Sequence, residues 1–425
     1  MKLKETIYNL RRQPVMTSVS IIGTALAISL VMIVVMMNQV RVAPIAPENN
    51  RDRWLVNSYF SVNYTKWVGG GSNGAMSYKT AREVADNLKE PEYVTVFTAW
   101  CATNALQVPG GIPLQVDSRA VDDVFWKVMD FTFVDGKPFD KAEFDAGRQV
   151  AVITESVARN IFGTAEAAGR EMLVDRVPYT VSGVVRDVTT LATHAYSQIW
   201  LPITATAVKD DSWADGIMGP MSMIMLAKDK ADMAVMHDEF DRVMNAYFVP
   251  LKEDGWQYVS RTRPFDQEAD AYTQSASNDP DIDSMHRQMY ITFAILLLVP
   301  AINLSSMTHS RLRRQQNVIG IRRAYGATKT DILMSLLTEN MLITLLAGVL
   351  GLLITVIFAM FAAESLFRPA FDMSFGASTV DLAMLLKWRT FGLALLFCFI
   401  LNVVSAGFPA FQASRTNIVN ALNKK

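Results

Sequence analysis

A basic segment, NVIGIRRAYGATKTDILMSLLTEN at residues 317–340, separates two long apolar segments of this chain. Residues 289–307 before it and residues 340–363 after it contain no Asp, Glu, Lys or Arg. Lys and Arg accumulate in the cytoplasmic loops of membrane proteins, so this segment is predicted to lie on the cytoplasmic side of a bilayer, between two transmembrane helices. The basic side chains in it and just before it are Arg311, Arg313, Arg314, Arg322, Arg323 and Lys329.

Four transmembrane helices are predicted, because two more uncharged segments are long enough to cross about 30 Å of hydrocarbon. The first lies between Arg12 and Arg41, and the last, residues 390–414, contains Asn402 and Pro409 but no charge. Proline and a lone amide are tolerated in helices that pack against neighbouring helices. A cleaved signal peptide is the alternative for the first segment, but its apolar run is longer than a signal core of about 7–15 residues.

The positive charges orient the chain with both termini in the cytoplasm, so a multi-pass protein of the inner membrane is expected. Leu3, Ile7 and Leu10 share one helical face, which is typical of a helix that lies along a membrane surface and contacts lipid. The predicted organisation is an interfacial helix at 1–14, transmembrane helices at 15–38, 288–308, 340–363 and 390–414, a periplasmic domain at 39–287, a cytoplasmic connector at 309–339, a short periplasmic loop at 364–389 and a cytoplasmic tail at 415–425.

The periplasmic domain is predicted to be α+β, with a strand-helix-strand unit that occurs twice. Aromatic and β-branched residues indicate the strands, and helical spacing of apolar residues indicates the helices. The first unit is predicted at 53–64, 78–90 and 92–101, and the second at 221–227, 230–248 and 255–262.

A β-rich subdomain, at about residues 108–210, is predicted to be inserted between these two units. Residues 150–154 are predicted to form a strand that leads into a short helix ending at Gly163. Residues 171–188 are predicted to form a hairpin that turns near residues 175–178.

Composition excludes several classes of function. The formal net charge of −1 argues against a nucleic-acid surface. Cys101 and Cys398 are predicted to lie in different compartments, so no intrachain disulfide is expected. The few histidines are far apart in sequence, and the closely spaced methionines at 218–225 are interpreted as core residues, so no metal site is predicted. No local nucleophile and base signature supports a catalytic site.

Three motifs resemble the FtsX-like permeases of the MacB type, and together they cover essentially the whole chain. They are IGIRRAYGATKTDIL at 319–333, the pattern from GKPFD to VSGVV at 136–185, and PAFQASRTNIVNAL at 409–422. The chain departs from the family at Val318, where an acidic residue is usual, and at Ile418, where proline is usual. The first departure touches the segment that the resemblance assigns to contact with an ATPase.

The resemblance implies the permease subunit of an ATP-binding-cassette (ABC) transporter. Such a subunit couples ATP hydrolysis by a separate ATPase subunit to motion of the periplasmic domain, which drives export or extraction of a substrate across the cell envelope. The sequence contains no Gly-Lys-Ser/Thr phosphate-binding motif, so the chain is not expected to be an enzyme or to bind a cofactor itself, and ATP and Mg are expected on the ATPase. The residues implied in ATPase coupling are Ile319, Gly320, Ile321, Arg322, Arg323, Ala324, Gly326, Ala327 and Thr328.

The expected partners are the ABC ATPase and a second copy of the permease or a paralogue, which would complete a dimer. A periplasmic adaptor and an outer-membrane channel are further candidate partners. Three alternatives stay open at this point: an FtsX-like regulator that activates a cell-wall hydrolase, a lipoprotein-release permease, and a membrane-anchored enzyme.

Overall fold

The computed structural model of the chain forms two compact units. The helical unit contains residues 1–39, 283–363 and 381–425, and the α/β unit contains residues 40–282 and 364–380. The structure describes residues 14–273, 275–296, 298, 321, 325–367, 391–392, 395–396, 399–400 and 403. All strands among these residues belong to the α/β unit.

The elements are as follows. The helices are α1 (Pro14–Val42), α2 (Tyr78–Asn87), α3 (Phe125–Val128), α4 (Lys141–Asp145), α5 (Glu155–Phe162), α6 (Met233–Asp254), α7 (Gln267–Tyr272), α8 (282–296) and α9 (Lys329–Phe367). The strands are β1 (Trp54–Asn57), β2 (Phe60–Tyr64), β3 (Gly70–Gly74), β4 (Tyr93–Thr98), β5 (Ala102–Gln107), β6 (Leu114–Val121), β7 (Phe133–Gly136), β8 (Val150–Thr154), β9 (Glu171–Val174), β10 (Val177–Val185), β11 (Ile199–Pro202), β12 (Met221–Leu226) and β13 (Trp256–Val259).

Two helices among the described residues are long and apolar enough to cross a membrane. These segments are Thr17–Val42 in α1 and Thr330–Phe361 in α9. They overlap the predicted first and third transmembrane helices, but α9 begins at Lys329, so the last part of the predicted connector is helical. The interfacial helix, the second half of the second predicted span and most of the fourth lie outside the described residues.

Small residues allow α1 and α9 to approach closely within the helical unit. Ala25, Ile28 and Met32 of α1 form one buried cluster with Ala347 of α9. A Cβ added at Gly351 would lie 2.8 Å from the Ala25 carbonyl oxygen, so the backbones meet where a side chain would not fit. Such small-residue contacts are a common way for helices to pack in membranes, where the hydrophobic effect does not drive association.

Ten strands of the α/β unit form one mixed sheet. Its order is β1-β12-β4-β6-β11-β8-β10-β9-β5, with β7 beside β10 and an additional pairing of β5 with β6. The last pairing closes β6, β11, β8, β10, β9 and β5 into a barrel, while β4 and β6 are joined by the single pair Phe97 and Val121. The remaining strands, β13, β2 and β3, form a separate three-stranded sheet.

Two hydrophobic cores stabilise the α/β unit. One cluster takes side chains from all six barrel strands, including Leu106, Val116, Ile153, Val174, Val181 and Ile199, and from α5. These residues alternate along the strands, so they share the inner face of the barrel. The other cluster packs α2, α3 and α6 against the sheet around Trp54, Phe97, Trp200, Phe240 and Phe248.

The local predictions for the middle of the chain are confirmed. The strand lies at Val150–Thr154, and the following helix ends at Gly163, which has a φ of +74°. The hairpin of β9 and β10 turns at Asp175 and Arg176, which both have positive φ.

Two longer-range predictions need correction. The predicted strand at 53–64 is wrong as one element: β1 pairs with β12 and β2 pairs with β3 and β13, so this segment contributes to two sheets. The segment predicted as an inserted subdomain, at about residues 108–210, has its own core, but β5 before it belongs to the same barrel, and β6 also pairs with β4. Periodicity identifies strands, but it does not identify their partners.

The second family motif is explained by a contact between two glycines. Gly136 of GKPFD pairs with Gly183 of VSGVV in the β7–β10 ladder. A Cβ at Gly136 would lie 2.3 Å from the Ser182 carbonyl oxygen, and one at Gly183 would lie 2.7 Å from that of Lys137. Gly136 also has a φ of +66°, which a side chain would strain. The two halves of the motif therefore need glycine because their backbones touch.

Candidate coupling sites

The described part of the predicted connector is a sharp turn that leads into α9. Tyr325 N donates to the Ile321 carbonyl oxygen at 3.0 Å, as in a helical turn. Gly326 follows with a φ of +95°, the left-handed conformation that commonly ends a helix. Thr328 then starts α9: its Oγ1 accepts from Asp331 N at 3.2 Å, and the Asp331 carboxylate accepts from Thr328 N at 3.2 Å. The turn is therefore set locally by a glycine and a capping pair.

Apolar side chains are exposed at this turn. Tyr325 is 90% exposed and Ile321 is 49% exposed, whereas Ile332, one turn into α9, is buried. Among the predicted coupling residues, Ile321, Gly326, Ala327 and Thr328 are therefore brought together. The remaining predicted residues, namely Ile319, Gly320, Arg322, Arg323 and Ala324 in the connector and Leu3, Ile7 and Leu10 in the interfacial helix, lie outside the described residues.

A buried arginine joins the end of α1 to a distant loop of the α/β unit. Arg51 is 2% exposed. Its Nη1 donates to the carbonyl oxygens of Val40 at 3.3 Å and Ala43 at 3.0 Å, and its Nη2 donates to that of Leu191 at 2.7 Å. Guanidinium is suited to this role because it presents five N–H donors in a fixed planar geometry.

The charge of Arg51 is balanced by a buried carboxylate. Glu48 is fully buried, and its Oε2 accepts from Arg51 Nε at 2.7 Å. The other oxygen, Oε1, accepts from the backbone N–H groups of His194 and Ala195, both at 2.7 Å. Both charged groups of this pair are therefore hydrogen-bonded. A buried ion pair needs such bonds, because they offset the cost of removing its charges from water. We call Glu48 and Arg51 the α1 clamp.

Helix α7 adds a second set of contacts beside the α1 clamp. The amide of Gln267 accepts from Trp54 Nε1 at 3.0 Å and donates to the Arg41 carbonyl oxygen at 2.9 Å. Asp270 Oδ2 lies 2.9 Å from His194 Nε2. The end of α1, α7 and the loop that contains His194 therefore form one hydrogen-bonded group.

The segment that leads into α8 is held by two other arginines. Arg261 Nη1 donates to the Ser277 carbonyl oxygen at 2.6 Å, and Arg263 Nη2 donates to that of Ala276 at 2.9 Å. The Arg263 guanidinium also lies 5.4 Å from the centre of the Phe265 ring, and its burial lowers its pKa. Both arginines follow β13 of the three-stranded sheet, so they fix residues 276–277 within the α/β unit.

A carboxylate is buried where the barrel meets the rest of the sheet. Asp122 follows β6 and is fully buried. It accepts from Thr95 Oγ1 at 2.6 Å, Val96 N at 2.8 Å and Phe125 N at 2.9 Å. Burial raises the pKa of Asp122 to about 6, because desolvation outweighs these hydrogen bonds and the neighbouring Asp123 adds repulsion.

The residues at these junctions were missed by the sequence analysis. Glu48 and Arg51 lie in a short polar segment, APENNRDR, directly after an apolar span, where charges usually mark topology. No local signal distinguishes a buried charge from an exposed one there, because the partners of Arg51 include Leu191, 140 residues away.

Metal-ligand clusters of three or more His, Cys, Asp or Glu are absent from the part of the chain that the structure describes. The methionines at 218, 221, 223 and 225 are fully buried core residues. β12 is buried along its whole length, and Met221, Met223 and Met225 fill space on one face of the sheet, because alternate residues of a strand point to the same side.

Comparisons with known proteins agree on both parts of the chain. Residues 16–243 match the family described as the MacB-like periplasmic core domain, and residues 290–418 match the FtsX-like permease C-terminal family. The macrolide export ATP-binding/permease protein MacB of Burkholderia cenocepacia is 26% identical over 340 residues, which are 79% of this chain and 45% of that protein. The pyoverdine export ATP-binding/permease protein PvdT of Pseudomonas aeruginosa is 26% identical over 230 residues, 54% of this chain and 32% of that protein.

The chain thus spans about half the length, or less, of the curated relatives that it matches. Among solved structures, one match is the extracellular domain of the transporter YknZ from Gram-positive bacteria. The alignment covers 48% of this chain and all of the YknZ domain, with 14% identity and a TM-score of 0.34. A second match is the periplasmic region of MacB from Actinobacillus actinomycetemcomitans. The alignment covers 50% of this chain and 92% of the MacB region, with 15% identity and a TM-score of 0.35.

Proposed function

This chain belongs to the family of permeases that carry a MacB-like periplasmic core domain and an FtsX-like permease domain, and on that premise we propose that it converts ATP hydrolysis into motion of its α/β unit. In this proposal a separate ABC ATPase binds the connector on the cytoplasmic side. The motion passes through the transmembrane helices to the α/β unit, which acts in the periplasm to drive export or extraction of a substrate across the cell envelope.

The geometry of the connector is the observation that carries this proposal. Exposed Tyr325 and Ile321 offer apolar surface to a partner, and the turn at Gly326 leads directly into α9. Because the Thr328 cap fixes the first turn of α9, a displacement of the connector would move the end of a helix long enough to span the membrane. An exposed aromatic next to a rigid helix end is suited to receive force.

ATP is proposed to bind to the partner ATPase together with Mg. The sequence contains no Gly-Lys-Ser/Thr motif that would hold phosphates, and the matched relatives are named ATP-binding/permease proteins. Four transmembrane helices, cytoplasmic termini and a dimer with a second copy or a paralogue complete the proposed assembly. The relatives named for macrolide and pyoverdine export indicate that cargo differs among these proteins, so the proposal specifies export without a particular substrate.

The proposal is tested by reconstituting the full chain with its ABC ATPase in lipid nanodiscs. The double variant Ile321→Ser/Tyr325→Ser removes apolar contact surface from exposed positions, so the fold of the permease should be kept. We expect its affinity for the ATPase to fall about tenfold or more, and stimulation of ATP hydrolysis to be lost, because aromatic anchors dominate interfaces.

Trp67→Ser provides the matched control, because Trp67 is also an exposed aromatic, 75% accessible, but lies in the α/β unit. This variant should bind the ATPase as the wild type does. Unchanged affinity and unchanged ATP hydrolysis in the connector variant would contradict the assignment of the connector as the docking segment.

A further inference from the structure

The α1 clamp holds together two segments that are distant in sequence. On one side, Arg51 donates to the carbonyl oxygens of Val40 and Ala43, where α1 ends. On the other side, it donates to the Leu191 carbonyl oxygen in the loop between β10 and β11. The end of α1 and this loop are therefore joined through one buried guanidinium.

The same loop is also held by the partner of Arg51. Glu48 accepts two backbone N–H groups, those of His194 and Ala195, three and four residues after Leu191. The direct ion pair between Glu48 and Arg51 spans 2.7 Å and is shielded from solvent on both sides. Because charge-assisted hydrogen bonds are short and strong in a buried site, the loop has little freedom to move apart from the end of α1.

This loop connects two strands of the barrel. β10 and β11 both belong to the closed ring of six strands, which meets β4 of the main sheet at the pair Phe97 and Val121 and through Arg119 Nη1, which donates to the Thr98 carbonyl oxygen at 2.7 Å. By contrast, the segment before α8 is held by Arg261 and Arg263, which follow the three-stranded sheet. Within the α/β unit, residues 40–43 are thus bonded to the loop between β10 and β11 and to α7, whereas residues 276–277 are bonded to the two arginines that follow β13.

We propose that Arg51 and Glu48 are positioning residues that make the barrel follow the displacement of α1. A movement of α1 relative to α8 would then shift the barrel relative to the rest of the α/β unit, including α6. This inference rests on the proposed function, because it assigns to named residues the route by which ATP-driven motion reaches the barrel.

The variant Glu48→Gln/Arg51→Met separates this role from folding. Gln keeps an acceptor oxygen for the loop N–H groups, and Met keeps much of the volume of the arginine stem but removes all four donated contacts. Replacing both charges avoids a buried unpaired ion. The carbonyl oxygens of Val40, Ala43 and Leu191 lose their donor, so a moderate loss of stability is expected. Arg51→Lys is a second variant, which keeps the charge but loses the planar donor geometry.

Arg53→Met is the matched control. Arg53 lies two residues away, and its Nη1 donates to Glu92 at 3.0 Å and to the Ala227 carbonyl oxygen, contacts that touch neither α1 nor the loop at 191–195. The same substitution is therefore made in the same short segment without breaking the α1 clamp.

The measurement is the distance between spin labels on the barrel and on α6 in the full chain, reconstituted with its ATPase in nanodiscs. The labels are placed at Ile112→Cys, 89% exposed, and Val249→Cys, 61% exposed. Cys398 is replaced by Ala, while Cys101 stays, because its burial raises the pKa of the thiol and suppresses labelling. Labelled chain is diluted with unlabelled chain, so that distances within one chain dominate.

We expect a non-hydrolysable ATP analogue to shift the distance distribution in the wild type and in Arg53→Met. The shift should be lost in Glu48→Gln/Arg51→Met and reduced in Arg51→Lys, when each variant is measured well below its own melting temperature. A full shift in Glu48→Gln/Arg51→Met would overturn the role of the clamp while leaving the proposed function intact. A wild-type chain that neither shifts nor changes the ATP hydrolysis of its partner would overturn both.

Discussion

The buried carboxyl of Asp122 should make the free energy of unfolding depend on pH. Its pKa is raised from 3.8 to about 6 in the folded chain, because the carboxyl is fully buried. In an unfolded chain the pKa is about 3.9, so between these two values the folded state binds a proton that the unfolded state has released. The free energy of unfolding therefore falls as the pH rises through this window, and it levels off above about pH 6.

The magnitude follows from the separation of the two pKa values. A separation of about two pH units costs about 3 kcal/mol when the carboxyl is fully ionised, at about 1.4 kcal/mol for each unit. Between pH 5 and pH 7.5, the ionisation of Asp122 lowers the free energy of unfolding by about 1.4 kcal/mol. Other groups also titrate in this range, so the contribution of Asp122 is obtained by comparison with Asp122→Asn.

Asp122→Asn removes the titration but keeps the size of the side chain. The amide can accept from only some of the three donors, Thr95 Oγ1, Val96 N and Phe125 N, so one N–H is left unsatisfied at a cost of about 1–3 kcal/mol. This cost does not depend on pH. The stability of the variant relative to the wild type should therefore improve by about 1.4 kcal/mol from pH 5 to pH 7.5, whatever its absolute value.

Urea unfolding of the full chain in mild detergent measures this difference. Tryptophan fluorescence is a suitable signal, because seven of the eight tryptophans lie between residues 40 and 282. A difference between wild type and Asp122→Asn that is the same at both pH values would refute the reasoning, since it would mean that the carboxyl does not titrate near pH 6 in the folded chain.

Two further predictions concern one position with no room for a side chain and one non-glycine residue with a positive φ. Gly351→Ala should destabilise the helical unit by about 1–3 kcal/mol in denaturation experiments, because the added Cβ would press on the Ala25 carbonyl oxygen. Gly392→Ala is the control and should have little effect, because its Cβ would meet open space. Equal effects of the two variants would contradict the close packing of α1 and α9. Arg176→Gly should stabilise the α/β unit by about 1 kcal/mol in urea unfolding, because Arg176 has a φ of +71° in the hairpin turn, which glycine adopts without strain. A loss of stability would show that the contacts of the arginine side chain outweigh the backbone strain.

The elements that the sequence predicted well are those defined by neighbouring residues. The strand at Val150–Thr154 is an apolar run, the helix after it ends at a glycine with positive φ, and the hairpin turns at a polar pair. Each depends on contacts within a few residues, for which residue type is a sufficient guide.

The elements that were missed depend on contacts between distant residues. Closure of the barrel needs β5 to pair with β6 on one side and β9 on the other, and no period in the sequence encodes which strand is the partner. Burial of Glu48 and Arg51 depends on the Leu191 carbonyl oxygen and the N–H groups that follow it. Among the predicted coupling residues, Gly326 forms a turn and Thr328 starts a helix, and both features have local sequence signatures. The role of these residues in coupling stays a prediction.

The closed ring of strands also constrains how other proteins can recognise this part of the chain. A strand from a partner can extend a sheet only where backbone N–H and C=O groups are free at an edge, and β5, β6, β8, β9, β10 and β11 each pair with at least two other strands. Where the strands are paired on both sides, we expect binding to the barrel to use side chains and loops, such as the turn that exposes Ile112. Loops of this kind can change in length and sequence without disturbing the hydrogen-bonded ring, so the barrel can acquire new specificities while its hydrogen bonds to the end of α1 are kept.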